Sequence, residues 1–191
     1  MQSLLPQIAV DLADPLAKTN APRWLEIGFG GGEHIAHQAT LHPGVSLIGA
    51  EAFLNGVAKL LAHAAEANIS NLHIYYGDAR RLLQALPDQC FERLYLLYPD
   101  PWPKQRQNKR RFISRENLDH FRRVLSPKGQ FLFASDIPDY IDWTLDHVVE
   151  QGGFELVSRS DQPYENWLRT RYEAKAIREG RVPCYLTFRK R

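Results

Sequence analysis

A short apolar run that ends in glycine and hands over to a helix leaves a chain few folds, and here the pattern recurs. Arg23-Trp-Leu-Glu-Ile27 stops at Gly28, and residues 33–41 then read as a helix. Residues 45–50 read as a second strand, followed by a helix over 55–67, and 72–76 as a third strand stopped by Gly77-Asp78. Residues 91–98 form a fourth, mostly apolar run that breaks off in a cluster of prolines. A helix over 115–125 leads to a turn signal, Pro127-Lys-Gly129, then a strand over 130–134 and a helix over 140–150. Strands alternating with helices of this length predict βαβ units and a mostly parallel α/β sheet. The runs 154–159 and 183–189 are expected to close it as a hairpin-like pair. No repeat, low-complexity tract or Gly/Ser-rich linker divides the chain, so residues 1–191 are expected to form a single domain.

Composition narrows the setting. With 44% hydrophobic and 24% charged residues the chain is suited to a packed core rather than to disorder. Its two cysteines, Cys90 and Cys184, lie far apart without metal-type spacing, which fits a reducing compartment. The first residues carry Asp11 and Asp14 and no long apolar run, so neither a signal peptide nor a membrane span is expected, and a cytoplasmic location is the default. The net charge of +2 conceals an asymmetry: residues 1–103 hold 6 basic and 10 acidic side chains, residues 104–191 hold 18 and 12. Such a split points to one face that meets a polyanion, with solvated basic loops as the alternative.

In parallel sheets ligands bind beyond the carboxyl ends of the strands, so the residues just after each strand are the ones to inspect. After the first comes Glu26-Ile-Gly-Phe-Gly-Gly-Gly32, feeding a helix N-terminus. A dinucleotide fingerprint needs glycine at position 33, where Glu33 stands. The spacing of Glu26, Gly28, Gly30 and Gly32 instead resembles the first motif of S-adenosylmethionine-dependent methyltransferases. After the second strand comes Glu51, placed to accept both hydroxyls of a ribose. After the third comes Asp78, which can accept from an adenine amino group, cap a helix starting at Ala79, or do both. The three acids together outline an adenosine pocket. His34 and His37 lie three apart with no third ligand evident, so they read as surface or packing residues and no metal is expected.

The fourth strand ends in Tyr98-Pro-Asp-Pro-Trp-Pro103, where each proline fixes φ and removes a donor. Five basic residues follow within eight positions: Lys104, Arg106, Lys109, Arg110 and Arg111. Glu26-Ile-Gly-Phe-Gly-x-Gly, Asp78, Asp100-Pro-Trp-Pro-Lys104 with Lys109-Arg-Arg111, Ser135-Asp136 and Thr170-Arg-Tyr-Glu173 together resemble the tRNA (guanine-N7)-methyltransferases. The resemblance spans residues 23–189.

It implies a Rossmann-like class I methyltransferase with a mostly parallel seven-stranded sheet and helices on both faces. It further implies methyl transfer from S-adenosylmethionine to N7 of a guanine in the tRNA variable loop. Asp100 would be the catalytic residue, in the sense of orienting and stabilising the base. Cofactor would be held by Glu26, Gly28, Gly30, Gly32, Glu51, Asp78 and Asp100. Substrate contacts would come from Lys104, Asp136, Thr170, Arg171, Tyr172 and Glu173, and RNA contacts from Arg106, Gln107, Asn108, Lys109, Arg110 and Arg111. The partner is tRNA, with no membrane and no obligatory protein partner, as a monomer or homodimer.

Two features depart from the family's pattern. Gln105 and Gln107 stand where relatives commonly carry Lys and His. Residues 1–22 are mildly acidic where relatives carry a basic extension, which implies a shortened N-terminal segment or a misassigned start. Two rival readings stay open. Asp100-Pro-Trp102 also resembles the motif with which amino-methyltransferases of DNA and protein engage an exocyclic amine. A non-catalytic RNA-binding protein with a vestigial cofactor pocket is the other.

Overall fold

The parallel sheet forms as the alternation requires. The computed structural model describes residues 8–16 and 21–191. In chain order these contain β1 (Arg23–Ile27), α1 (Glu33–Leu41), β2 (Ser46–Glu51), α2 (Leu54–Glu66), β3 (Leu72–Tyr76), α3 (Ala79–Ala85) and β4 (Phe91–Leu97). A 3₁₀ helix (Gln105–Arg110) follows, then α4 (Arg115–Val124), β5 (Leu125–Ser135), α5 (Pro138–Gln151), β6 (Phe154–Ser160), α6 (Arg171–Arg178) and β7 (Cys184–Lys190). The seven strands lie in the order β3-β2-β1-β4-β5-β7-β6. The first five are parallel, and β7 runs antiparallel to both β5 and β6.

Two apolar layers cover the sheet. On one side Leu25, Ile48, Leu94 and Phe131 pack against Leu82, Leu118, Phe121 and Tyr140 from α3, α4 and α5. On the other Trp24, Leu47, Ile74 and Tyr95 pack against Ile35, Val57 and Leu60 from α1 and α2. Neighbouring residues of one strand thus serve opposite layers, the period-two rule of a sheet buried on both faces. Helix α4 shows how local sequence sets this. Ser114 caps it by accepting from the Asn117 amide at 3.3 Å, and Leu118, Phe121 and Val124 bury one face. Phe131 sits in the middle of the first layer against Phe121, Phe133, Phe154 and Phe188. Truncating such a ring to alanine costs ~3–5 kcal/mol.

Two expectations change in detail. Strands β6 and β7 do pair antiparallel, but α6 and its approach separate them, so they are no hairpin. The Pro127-Lys-Gly129 signal is a bulge inside β5, where Phe91 to Arg93 pairs with Leu125 to Gln130 and Lys128 takes φ 63°. Asp78 caps a helix that starts at Ala79, α3, as one of its expected roles required. Between β1 and β4 the strand order reverses, and that switch point opens the crevice where such sheets bind ligands.

Candidate active site

A cavity of about 580 Å³ lies at the carboxyl ends of β1, β2, β3 and β4. Gly28 and Gly30, Glu51, Asp78, Asp100 with Trp102, and Arg171 with Tyr172 all line it. Residues from five separate segments therefore meet in one place, four of them at strand ends as the rule predicts.

The glycine loop is held by backbone bonds. Gly28 takes φ 69° and its amide donates to the Ala50 carbonyl at 2.8 Å. A Cβ there would meet nothing within 4 Å, so the bare backbone borders open space at the cavity wall. Gly56 explains the close seat of α2 on this loop, since a Cβ on it would fall 2.2 Å from the Gly30 carbonyl oxygen. Glu51 is buried, and its two oxygens accept from the amides of Gly30 at 2.8 Å and Phe53 at 2.9 Å. Each oxygen keeps a lone pair for a ligand hydroxyl. Asp78 caps α3 by accepting from the Arg80 amide at 3.0 Å, and its exposed carboxylate still lines the cavity.

Two residues of the predicted cofactor set lie away from the cavity. Gly32 occupies the cap position of α1 at φ 80°, where a Cβ would strike Leu60 at 2.7 Å. Glu26 is buried under the loop with its Oε2 2.7 Å from His34 Nδ1. His34 is therefore a packing residue, the second of its two expected roles. It packs between Tyr95 and Trp167 and satisfies a carboxylate that would otherwise be stranded.

The proline corner forms the opposite wall. Tyr98 and Trp102 adopt φ 49° and 43°, left-handed values that cost bulky residues about 1–3 kcal/mol each. Local bonds hold them there. The Tyr98 amide donates to the Ala134 carbonyl at 2.7 Å. The Asn108 amide, with its nitrogen turned inward, donates to the carbonyls of Trp102 and Lys104 at 3.1 and 3.2 Å. Asp100 is exposed at the rim, and the Arg110 guanidinium stacks 4.8 Å from the Trp102 ring. Lys104, Arg106, Lys109 and Arg110 are exposed beside it, Gln107 and Asn108 half-buried. Arg111 departs from this run. Its side chain is fully buried, so it cannot track a phosphate backbone as the basic pattern implied.

The remaining motif residues are engaged internally. Asp136 pairs with the Arg181 guanidinium. Thr170 caps α6 by accepting from the Glu173 amide at 3.2 Å. Glu173 is buried, its Oε1 accepting from the Tyr185 hydroxyl at 2.8 Å and its Oε2 from Trp167 Nε1 at 2.5 Å. The Tyr98 hydroxyl in turn donates to that of Tyr185 at 3.4 Å, so a chain of bonds runs from α6 to the corner. Burial first, then Tyr185 beside Tyr98 and the Glu173 carboxylate beside Tyr185, push both phenols well above their ordinary range and keep them protonated donors. Arg171 stacks on Tyr172 at 4.9 Å, and the Tyr172 ring stands 3.2 Å from where a Gly30 Cβ would be, overhanging the loop. Among the described residues no cluster of three or more His, Cys, Asp or Glu could hold a metal ion. None of their helices is long and apolar enough to cross a membrane.

A switch-point crevice with a glycine loop, acids after β2 and β3 and an acid after β4 defines a Rossmann-like class I methyltransferase. The 16S rRNA methyltransferase KamB shares the fold, with a TM-score of 0.67 at 20% identity over 88% of this chain and 87% of that one. The family described as "Putative methyltransferase" matches residues 20–185. The tRNA (guanine-N(7)-)-methyltransferase of Cereibacter sphaeroides is 53% identical over 169 residues, 88% of this chain and 70% of that protein. The enzyme of the same name from Rhizobium johnstonii is 49% identical across 100% of this chain and 87% of its own length. The chain belongs to the tRNA (guanine-N7)-methyltransferase family.

Proposed function

We propose that the chain moves a methyl group from S-adenosylmethionine to N7 of a guanine in tRNA, with the cofactor on the β1–β3 side of the cavity and the base against the proline corner. The observation that carries this is the single cavity shared by Gly28, Glu51, Asp78 and Asp100. The pocket suits an adenosine. Glu51 has acceptor capacity left for a ribose diol, Asp78 offers an acceptor for an exocyclic amine, and Phe53 lends an apolar face that is 72% exposed. When bound, S-adenosylmethionine supplies an electrophilic methyl group.

Guanine N7 presents a lone pair and no proton, so the chain needs no general base. Its task is placement, which alone can supply several kcal/mol of the barrier, up to about 7–11. Methylation leaves the base positively charged, and a carboxylate fixed at the rim favours that product-like charge. Asp100 has this role and also accepts from the guanine N1–H and amino group. The prolines and the bonds around Trp102 hold it in place before substrate arrives, which lowers the ordering cost of binding. Lys104, Arg106, Lys109 and Arg110 flank the corner with free charge for the phosphate backbone. Thr170 and Glu173 act by fixing α6, so that Arg171 and Tyr172 cover the loop.

Unmodified tRNA incubated with the protein and labelled S-adenosylmethionine tests the reading. Label is expected in the RNA, with aniline cleavage at N7-methylguanine mapping to the variable loop. A methyl on an exocyclic nitrogen would transfer the chain to the amino-methyltransferase reading. S-adenosylhomocysteine binding measured by calorimetry separates a vestigial pocket, which shows none at millimolar ligand.

A further inference from the structure

The basic run ends in a residue that faces the wrong way for RNA. Arg111 is the largest fully buried side chain among the described residues, and its guanidinium reaches four neighbours. Nε donates to the Pro101 carbonyl at 2.9 Å, and Nη2 pairs with Asp139 in the first turn of α5. Its Cζ lies 4.9 Å from the centre of the Tyr140 ring and 5.0 Å from that of Trp143. Nη1 is buried with no partner among the described residues.

A buried cation with one donor unpaired is a poor way to stabilise a core, because a methionine fills similar volume without desolvating a charge. What a guanidinium does that methionine cannot is grip a carbonyl in its own plane while stacking on aromatic faces. The gripped carbonyl matters. Asp100 precedes a proline and is restricted to extended backbone, and the Pro101 ring fixes its own φ. Between Asp100 and Trp102 the torsion left free is Pro101 ψ, which sets the Pro101 carbonyl and the entry into Trp102 at φ 43°. The bond from Arg111 Nε closes that last freedom. Its anchors are tied down too. The Tyr140 hydroxyl accepts from the Phe112 amide at 3.0 Å, and Trp143 Nε1 donates to the Ile113 carbonyl at 2.9 Å. The segment after Arg111 is thereby sewn to α5.

We propose that Arg111 is a positioning residue for methyl transfer, locking Pro101 so that Asp100 and Trp102 keep one geometry against the acceptor base. This rests on the reading of Asp100 given above, and the experiment separates the two. The full chain carries Arg111→Lys, Asp139→Asn, Asp100→Asn or the Arg111→Lys/Asp100→Asn pair. Three quantities are measured: single-turnover methylation of unmodified tRNA, dissociation constants for tRNA and S-adenosylhomocysteine, and the ¹⁹F resonance of 5-fluorotryptophan at Trp102, assigned with Trp102→Phe.

Arg111→Lys is expected to slow single turnover at saturating ligands by about 30-fold while both dissociation constants move less than about threefold. The Trp102 resonance should shift. In the Asp100→Asn background the same change should cost less than about threefold further, since residues acting as a unit are not additive. A tRNA affinity loss of about tenfold with turnover intact would make Arg111 an RNA contact and overturn the proposal. Additive losses in the double variant, or an unmoved Trp102 resonance, would overturn it equally. Full turnover by Asp100→Asn would remove Asp100 from its role, whereas the Trp102 shift judges Arg111 separately. Should Arg111→Lys fail to fold, Asp139→Asn carries the test, because it removes only the outer partner, whose side chain is 71% exposed. A smaller rate loss with a Trp102 shift supports the proposal, and no change in either sinks it.

Discussion

The two walls of the cavity are built by different means. The β1–β3 wall consists of backbone: glycine φ values, amides that bond Glu51, and a helix capped by Asp78. Each of its parts lies within a few residues of a strand end. The proline wall depends on side chains from far along the chain, with Arg111 and Asp139 under the corner and Tyr185 and Glu173 behind it. One wall is set once the sheet is in register. The other is complete only when α5, α6 and β7 have docked. The first wall is therefore expected to tolerate distant mutations and the second to be sensitive to them.

Removing the acid at the proline wall should have the largest effect. Asp100→Ala is expected to lower turnover on tRNA by ~10²–10³, the scale of losing one stabilising group in a preorganised site. Affinity for S-adenosylhomocysteine should fall far less, read by calorimetry on the same preparation. Unchanged turnover would leave the corner without its proposed chemistry. At the other wall, Glu51→Ala deletes the acceptor of two loop amides and of the proposed ribose diol. The expected loss is in cofactor affinity, about 10–100-fold, from hydrogen bonds to a charged group worth ~1.5–3 kcal/mol. Turnover at saturating cofactor should largely recover. A loss of turnover that saturation does not rescue would erase the distinction between the walls.

The same contrast explains which residues could be read from the chain. Glu51, Asp78 and Asp100 each follow a strand, so the alternation alone placed them at one cavity. Gly32 shares the motif's spacing but faces Leu60, because spacing does not say which glycine borders the cavity and which admits a helix. His34 escaped notice as the partner of Glu26, since their contact depends on the phase of α1 against β1. Within Arg106–Arg111 no periodicity marks the residue that turns inward, and its anchors Tyr140 and Trp143 lie some thirty residues away. Trp167 and Tyr185 carry no local signal at all. The Tyr185 bond to Glu173 joins β7 to α6, and the Trp167 bond forms where the chain turns into α6, six residues before Glu173.

Glu173 offers a way to sharpen the contrast. As an amide it would keep one acceptor oxygen for two donors, so Glu173→Gln should lose about 1–3 kcal/mol of stability in urea unfolding. Turnover should fall about tenfold, equivalent to ~1.4 kcal/mol, because Tyr185 and Tyr98 no longer brace the corner. Tyr185→Phe should reproduce part of both losses. A raised KM for tRNA with stability unchanged would instead mean that Glu173 swings out to meet substrate.

The smallest effects belong to the exposed charges of the 3₁₀ helix. Lys109 and Arg110 lie on the solvent side of the 3₁₀ helix, and Arg110 also covers Trp102. Neutralising one phosphate contact removes about 0.7–0.9 from the slope of log affinity against log salt. Lys109→Ala should therefore flatten the salt dependence of tRNA binding by roughly that amount, leave cofactor binding alone, and change turnover at saturating tRNA little. Arg110→Ala should do the same and add a modest loss of turnover, since the Trp102 ring loses the cation stacked on it. Equal turnover in the two variants would mean that Trp102 is held from beneath, by the lock on Pro101, and that the stacked guanidinium above contributes only charge.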